Sequence, residues 1–170
     1  RLLLFAVVIL AAMQVSAQLQ VLKNGKPRAS IAIVEESEVN RDAAMLLNKF
    51  VERMSGVRLL ISLSKDKKNL ILIGGTTDEV GEDGFVIDCH DGRLYIKSGG
   101  GKGALYGVAT LLENELGVRY YAAGAWTVEQ RTDITIAGQH HAETPSFRYR
   151  QTQSYGAEDP DYVAFYRLKE

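Results

Sequence analysis

Apolar and polar positions along the chain alternate with two different periods, and the changes between them predict the elements. Residues 30–34 are rich in Ile and Val and read as a first strand. Ala43, Leu46, Leu47, Phe50, Val51 and Met54 then recur at three- and four-residue steps, which predicts a helix over 41–54 with Asn40 as its N-cap and Gly56 as its stop. Residues 58–63 and 70–73 read as strands separated by a charged turn at 65–69. Residues 84–97 carry the sharpest signal. Phe85, Ile87 and Cys89 share one face, Asp91-Gly92 follows, and Leu94 and Ile96 alternate with Arg93, Tyr95 and Lys97. Asp-Gly suits a two-residue hairpin turn because both positions tolerate positive φ. A glycine-rich stretch at 99–103 leads into a second helix over 102–116, whose stripe is Leu105, Val108, Ala109, Leu111, Leu112 and Leu116. Residues 118–121 and 132–136 look like further strands, and 18–28 like a polar entry.

The order predicts an α/β (α+β) domain over 18–138, a mixed β-sheet with two helices packed on one face. Residues 139–146 are polar and turn-like and read as a linker. Residues 147–152 restart as a strand and 161–169 as a helix, too little for a domain, so 147–170 is expected to begin a second one. At the other end Arg1 precedes an unbroken apolar run over 2–13, and Val15-Ser16-Ala17 closes it with small residues. That is the layout of a signal peptide cleaved after Ala17, and it predicts a secreted or periplasmic protein. The run is too short for a membrane span of about 20 residues.

Composition changes this picture little. The 170 residues are 46% hydrophobic and 24% charged with a formal net charge of −1. Lys and Arg are dispersed, which excludes the basic face that a nucleic-acid binder needs. Cys89 is the single cysteine, so no intrachain disulfide forms, and its place on the apolar face of a strand predicts a buried thiol. Ser98-Gly99-Gly100-Gly101-Lys102-Gly103 lacks the Ser or Thr that a phosphate loop places after its Lys, and reads as a strand-to-helix turn. His140 and His141 point apart on an extended chain and His90 lies at the hairpin tip, so no metal site or cofactor is expected. Glu113 and Glu115 face different sides of the second helix and read as solvated. Residues 18–138 show no assembled catalytic residues.

The stretch Asp83-Gly84-Phe85-Val86-Ile87, then Leu94-Tyr95-Ile96, Gly99-Gly100-Gly101-Lys102-Gly103-Ala104-Leu105-Tyr106-Gly107-Val108 and Leu116-Gly117-Val118-Arg119-Tyr120-Tyr121 resembles one family pattern. It is similar to the N-terminal domain of α-glucuronidases of glycoside hydrolase family 67, and to the domain before the barrel of family 20 β-N-acetylhexosaminidases and related secreted Bacteroidetes proteins. The resemblance covers about residues 28–150. It implies a non-catalytic accessory domain that braces the chain's own C-terminal (β/α)8 catalytic barrel, of which 147–170 would be the truncated start, with an oligo- or polysaccharide as substrate. The family commonly has Arg where Lys102 stands. Thr144-Pro145-Ser146-Phe147 and Arg148-Tyr149-Arg150 look like the entry to a first barrel strand. Relatives carry an Arg-Gly pair there, and Arg150 matches the Arg while Gln151 replaces the Gly, so the resemblance makes Arg150 a substrate contact; the alternative is an arginine paired with an acid inside the barrel mouth. The alternative is a carbohydrate-binding or adhesion module, for which Tyr95, Trp126 and Tyr155 are the candidate platform.

Overall fold

A computed structural model of the chain describes residues 18–62 and 68–169. The signal-peptide segment and most of the charged turn at 65–69 lie outside the described residues. Helix α1, Glu38–Ser55, starts three residues earlier than its apolar stripe indicates. Its N-cap is Ser37, whose hydroxyl accepts from the Asn40 backbone N–H, as expected for a Ser followed by an exposed acidic turn. Asn40 instead turns inward and donates to the Glu35 carbonyl. Gly56, in the left-handed region at φ 72, ends the helix. Every apolar residue of the α1 stripe is buried. Within it, Asn48 clamps the following chain by exchanging two hydrogen bonds with the backbone of Leu59. Helix α2, Gly103–Asn114, packs against α1 and against the same sheet.

The strands are β1 (Leu19–Lys23), β2 (Lys26–Pro27), β3 (Ser30–Ile33), β4 (Ile61–Ser62), β5 (Leu70–Thr76), β6 (Phe85–His90), β7 (Arg93–Ser98), β8 (Arg119–Ala122), β9 (Ala125–Thr127), β10 (Ile134–Ile136) and β11 (Gln139–Glu143). Six of them form one mixed sheet in the order β11-β6-β7-β5-β3-β4. The β3, β4, β5 and β7 pairings are parallel, while β7-β6 and β6-β11 are antiparallel. The mixed sheet and its two main helices are therefore as expected. The predicted strands at 118–121 and 132–136 leave that sheet: β8 pairs with β9, and β10 with β1. The hairpin β6-β7 turns on Asp91 and Gly92, both at positive φ.

Two polar segments correct the sequence reading. The entry contains β1, whose Leu19, Val21 and Leu22 are buried. The first five residues of the stretch read as a linker form β11, which pairs with Phe85 to Cys89 of β6. Backbone hydrogen bonding alone carries an edge strand, so a polar sequence can supply one. Residues 147–152 form no strand; only Arg150 makes an isolated bridge, to Lys169. Among the described residues no helix is long and apolar enough to cross a membrane.

Cys89 is 2% exposed, and its thiol lies 3.7 Å from the Ile136 carbonyl. Burial pushes the thiol above its ordinary pKa. In the folded chain it is expected to resist a disulfide reagent at pH 8, with labelling that tracks global unfolding in urea; fast labelling of the native chain would contradict this burial.

Candidate functional site

The glycine-rich turn before α2 is organised around one carboxylate. Asp83 is 2% exposed and sits at φ 61, a region Asp tolerates better than most residues. Its Oδ1 accepts from the Lys102 backbone N–H at 2.9 Å, at the mouth of α2. Helix starts attract anions, and here the anion is the protein's own side chain. Gly101 at φ 54 lies so close that a Cβ there would overlap the Asp83 carboxylate, and a Cβ on Gly103 would overlap the Gly84 carbonyl. The turn is thus a close approach of helix and strand, as its composition indicates.

The second oxygen of Asp83 meets two cations from the far end of the chain. Arg150 Nη2 lies at 3.0 Å and Lys169 Nζ at 2.9 Å. Burial raises the Asp83 pKa, but the hydrogen bonds from Lys102, Lys169 and Arg150 and the charge of Lys169 outweigh it, so the carboxyl titrates below its ordinary value. Arg150 is held on every nitrogen. Its Nε donates to the Arg167 carbonyl at 2.6 Å, its Nη1 to the Phe147 carbonyl, and its guanidinium lies 5.5 Å from the centre of the Tyr106 ring. Burial works against its charge, and the contacts with Asp83 and Tyr106 more than restore it.

Further bonds fasten the same segment. The buried Tyr106 hydroxyl donates to the Leu168 carbonyl at 2.7 Å. Arg167 Nη2 reaches Thr110 Oγ1 at 2.7 Å and Glu113 Oε2 at 3.0 Å, so Glu113 is paired rather than merely solvated. A short helix α3, Pro160–Phe165, capped by Asp159, places Phe165 in the core against Phe50 and Tyr120.

Between this segment and the first turns of α1 and α2 lies a cleft of about 760 Å³. Val39 and Asp42 form one wall, Lys102 and Leu105 another, and residues 150–153 with Glu158 and Val163 the third. Arg150 is among the residues that line this cleft. The proposed aromatic platform is not assembled. Tyr95 packs on the side of the main sheet away from the helices, with Ala32, Leu70 and Leu72. Trp126 packs into the helix-side core, edge-on to Phe50 and 3.9 Å from the Arg53 guanidinium. Tyr155 is 98% exposed on a 3-10 turn, Tyr155–Glu158.

The sequence alone does not mark Asp83 as a functional residue. Its only local signal is an acid directly before a glycine at the start of a strand, and its partners are 67 residues (Arg150) and 86 residues (Lys169) away along the chain.

A family model described as glycosyl hydrolase family 20, domain 2, matches residues 22–114, from β1 to the end of α2 and just over half of the chain. No curated protein sequence matches the chain significantly. Among solved structures the chain is similar to the family 20 β-N-acetylhexosaminidase from Streptomyces coelicolor A3(2), with a TM-score of 0.58 and 19% identity over 78% of this chain and 25% of that one. It is similar to the exo-β-N-acetylglucosaminidase from Vibrio harveyi, with a TM-score of 0.52 and 19% identity over 78% and 18% of the two chains. A family 115 4-O-methyl-α-glucuronidase with specificity for decorated arabinogalactans gives a TM-score of 0.61 and 16% identity over 89% and 25%. These likenesses establish a shared fold, and the chain spans a quarter or less of the length of each of these enzymes.

Proposed function

The chain belongs to the family glycosyl hydrolase family 20, domain 2, and from that premise we propose that it is the non-catalytic accessory domain of an exported glycoside hydrolase acting on oligo- or polysaccharides. In this reading residues 1–17 direct export, residues 18–138 form the accessory domain, and 147–170 lead into a catalytic barrel that the domain braces. The observation that carries it is the state of the one buried carboxylate among the described residues. A glycosidase acid must hold its proton near neutral pH, which needs a raised pKa. Asp83 is held low by Lys102, Lys169 and Arg150, and is committed to fastening the segment that would enter the barrel. Arg150 has a place in the same proposal: it lines the cleft, and its guanidinium can meet a sugar hydroxyl or carboxylate.

The test compares the full-length protein with the 18–169 chain on glucuronoxylan and N-acetylglucosaminide substrates. Hydrolysis by the full-length protein only is the expected result; hydrolysis by the 18–169 chain would overturn the accessory role. Retention of a polysaccharide by that chain without hydrolysis in either form would favour a binding module. In the full-length enzyme Arg150→Lys keeps a cation beside Asp83 but loses the planar fork. A raised KM in that variant supports the substrate contact, and an unchanged kcat/KM confines Arg150 to the ion-paired cluster.

A further inference from the structure

The cleft beside α1 and α2 has three walls, and each wall offers one charged and one aliphatic side chain. Val39 and Asp42 stand three residues apart in the first turns of α1. Lys102, the N-cap of α2, and Leu105 in its first turn repeat that spacing. Residues three apart on a helix are neighbours on one face, so each pair presents its charge and its aliphatic group together. Glu158, from the 3-10 turn, and Val163 of α3 complete the third wall. Gln151 and Gln153 add two amides. The volume of about 760 Å³ falls within the range of small-molecule sites, about 300–1,000 Å³.

The charged groups that fasten the C-terminal segment are committed to one another: Arg150 and Lys169 to Asp83, Arg167 to Glu113, and Lys49 to Asp161. Among the described residues, the side chains of Asp42, Lys102 and Glu158 make no ion pair or hydrogen bond with the chain. Their signs narrow the ligand. Two carboxylates disfavour a phosphate or another anion, and Lys102 with Arg150 disfavours a cation. A neutral ligand rich in hydroxyls meets neither penalty, because a hydroxyl donates to a carboxylate and accepts from an ammonium. The aliphatic group on each wall meets the C–H faces of a sugar ring. Peptides are held by a free sheet edge or by apolar anchors along a groove. The walls here are two helices and a looped segment, each carrying a charge.

We propose that this cleft binds a neutral oligosaccharide, with Asp42, Lys102 and Glu158 as its hydrogen-bonding side chains and Val39, Leu105 and Val163 as its apolar contacts. The inference rests on the function proposed above for the saccharide class, and it adds a binding role to the bracing one. Arg150, which that reading already brings to a sugar, is left out of the set and of the test, because changing it would also disturb Asp83.

The test is calorimetric titration of the full chain with chitohexaose and xylohexaose as neutral probes, beside hexagalacturonate as an anion and a chitosan hexamer as a cation. Saturable binding of a neutral probe, one per chain, is expected, with both charged probes weaker. Asp42→Asn, Lys102→Ala and Glu158→Gln are each expected to weaken it by about tenfold or more. Lys97→Ala is the control, because Lys97 lies over the Tyr95 ring on the side of the main sheet away from the helices, and it should bind as the parent does. Circular dichroism confirms that each variant is folded. No saturable binding of either neutral probe, tighter binding of a charged one, parent-like binding by the folded triple variant, or an equal loss in Lys97→Ala would each overturn the site. Equal affinity for a neutral peptide of similar size would assign the cleft to protein and overturn the saccharide. Hydrolysis is not read in this titration, so the accessory role, which falls on hydrolysis by the 18–169 chain, and the cleft can fail separately.

Discussion

Replacing Asp83 with Asn is expected to destabilise the chain by about 1–3 kcal/mol, the cost of leaving the partly buried Arg150 guanidinium without its counter-charge. Asn is the substitution that isolates charge. It accepts the left-handed backbone at φ 61 and can still receive the Lys102 N–H through its amide oxygen. What it removes is the negative charge facing Arg150 and Lys169, while the side chain of Arg150 remains only 15% exposed. Urea unfolding at pH 7 measures the difference. Its pH dependence follows from the depressed pKa of Asp83. A carboxyl that titrates lower in the folded chain than in the unfolded one contributes stability above its ordinary pKa of 3.8 and loses that contribution as pH falls through the folded value. The gap between parent and variant should therefore be constant from pH 7 to about pH 5 and close only in stronger acid. A variant as stable as the parent at pH 7 would show that the cations find other partners at no cost.

The elements that the sequence made legible are those whose apolar residues fill the space between sheet and helices. The stripes of α1 and α2, the alternation in β6 and β7 and the Asp91-Gly92 turn all reflect one buried surface, and periodicity reports burial. What stayed hidden was held by other forces. Strand β11 is polar because it is an edge strand, joined to β6 through its backbone, so nothing in its side chains marks it. The start of α1 was misplaced because two capping residues stood close together, and Ser37 rather than Asn40 took the cap. The ion pairs that Asp83 makes with Arg150 and Lys169 join residues more than sixty positions apart, and pairing at such a distance leaves no local period. The resemblance points Arg150 at a ligand, with an acid partner as the alternative; in the fold its hydrogen-bond partners are three groups of its own chain, the Asp83 carboxylate among them.

Truncating Phe165 to Ala tests whether the last described segment belongs to the domain's own folding unit. Phe165 is 3% exposed, stacked on Tyr120 at 4.7 Å between centroids and edge-on to Phe50 at 5.3 Å. Offset and edge-on pairs of this kind add to the area that they bury. Phe50 is the largest apolar residue of the α1 stripe, so the contact joins α3 to the central core. Removing a buried ring of this size is expected to cost about 3–5 kcal/mol, because the surrounding helices cannot collapse fully into the space. Were the segment an appendage docked on a finished domain, the loss would be within about 0.5 kcal/mol, as for a surface change. The two outcomes separate clearly in urea midpoints at a constant m-value. The family match stops at residue 114, before this segment begins. A large loss would place the folding boundary at least fifty residues beyond that point. Phe165, Tyr106 and Asp83 would then act as one fastening that joins residues 147–169 to the core around the two main helices.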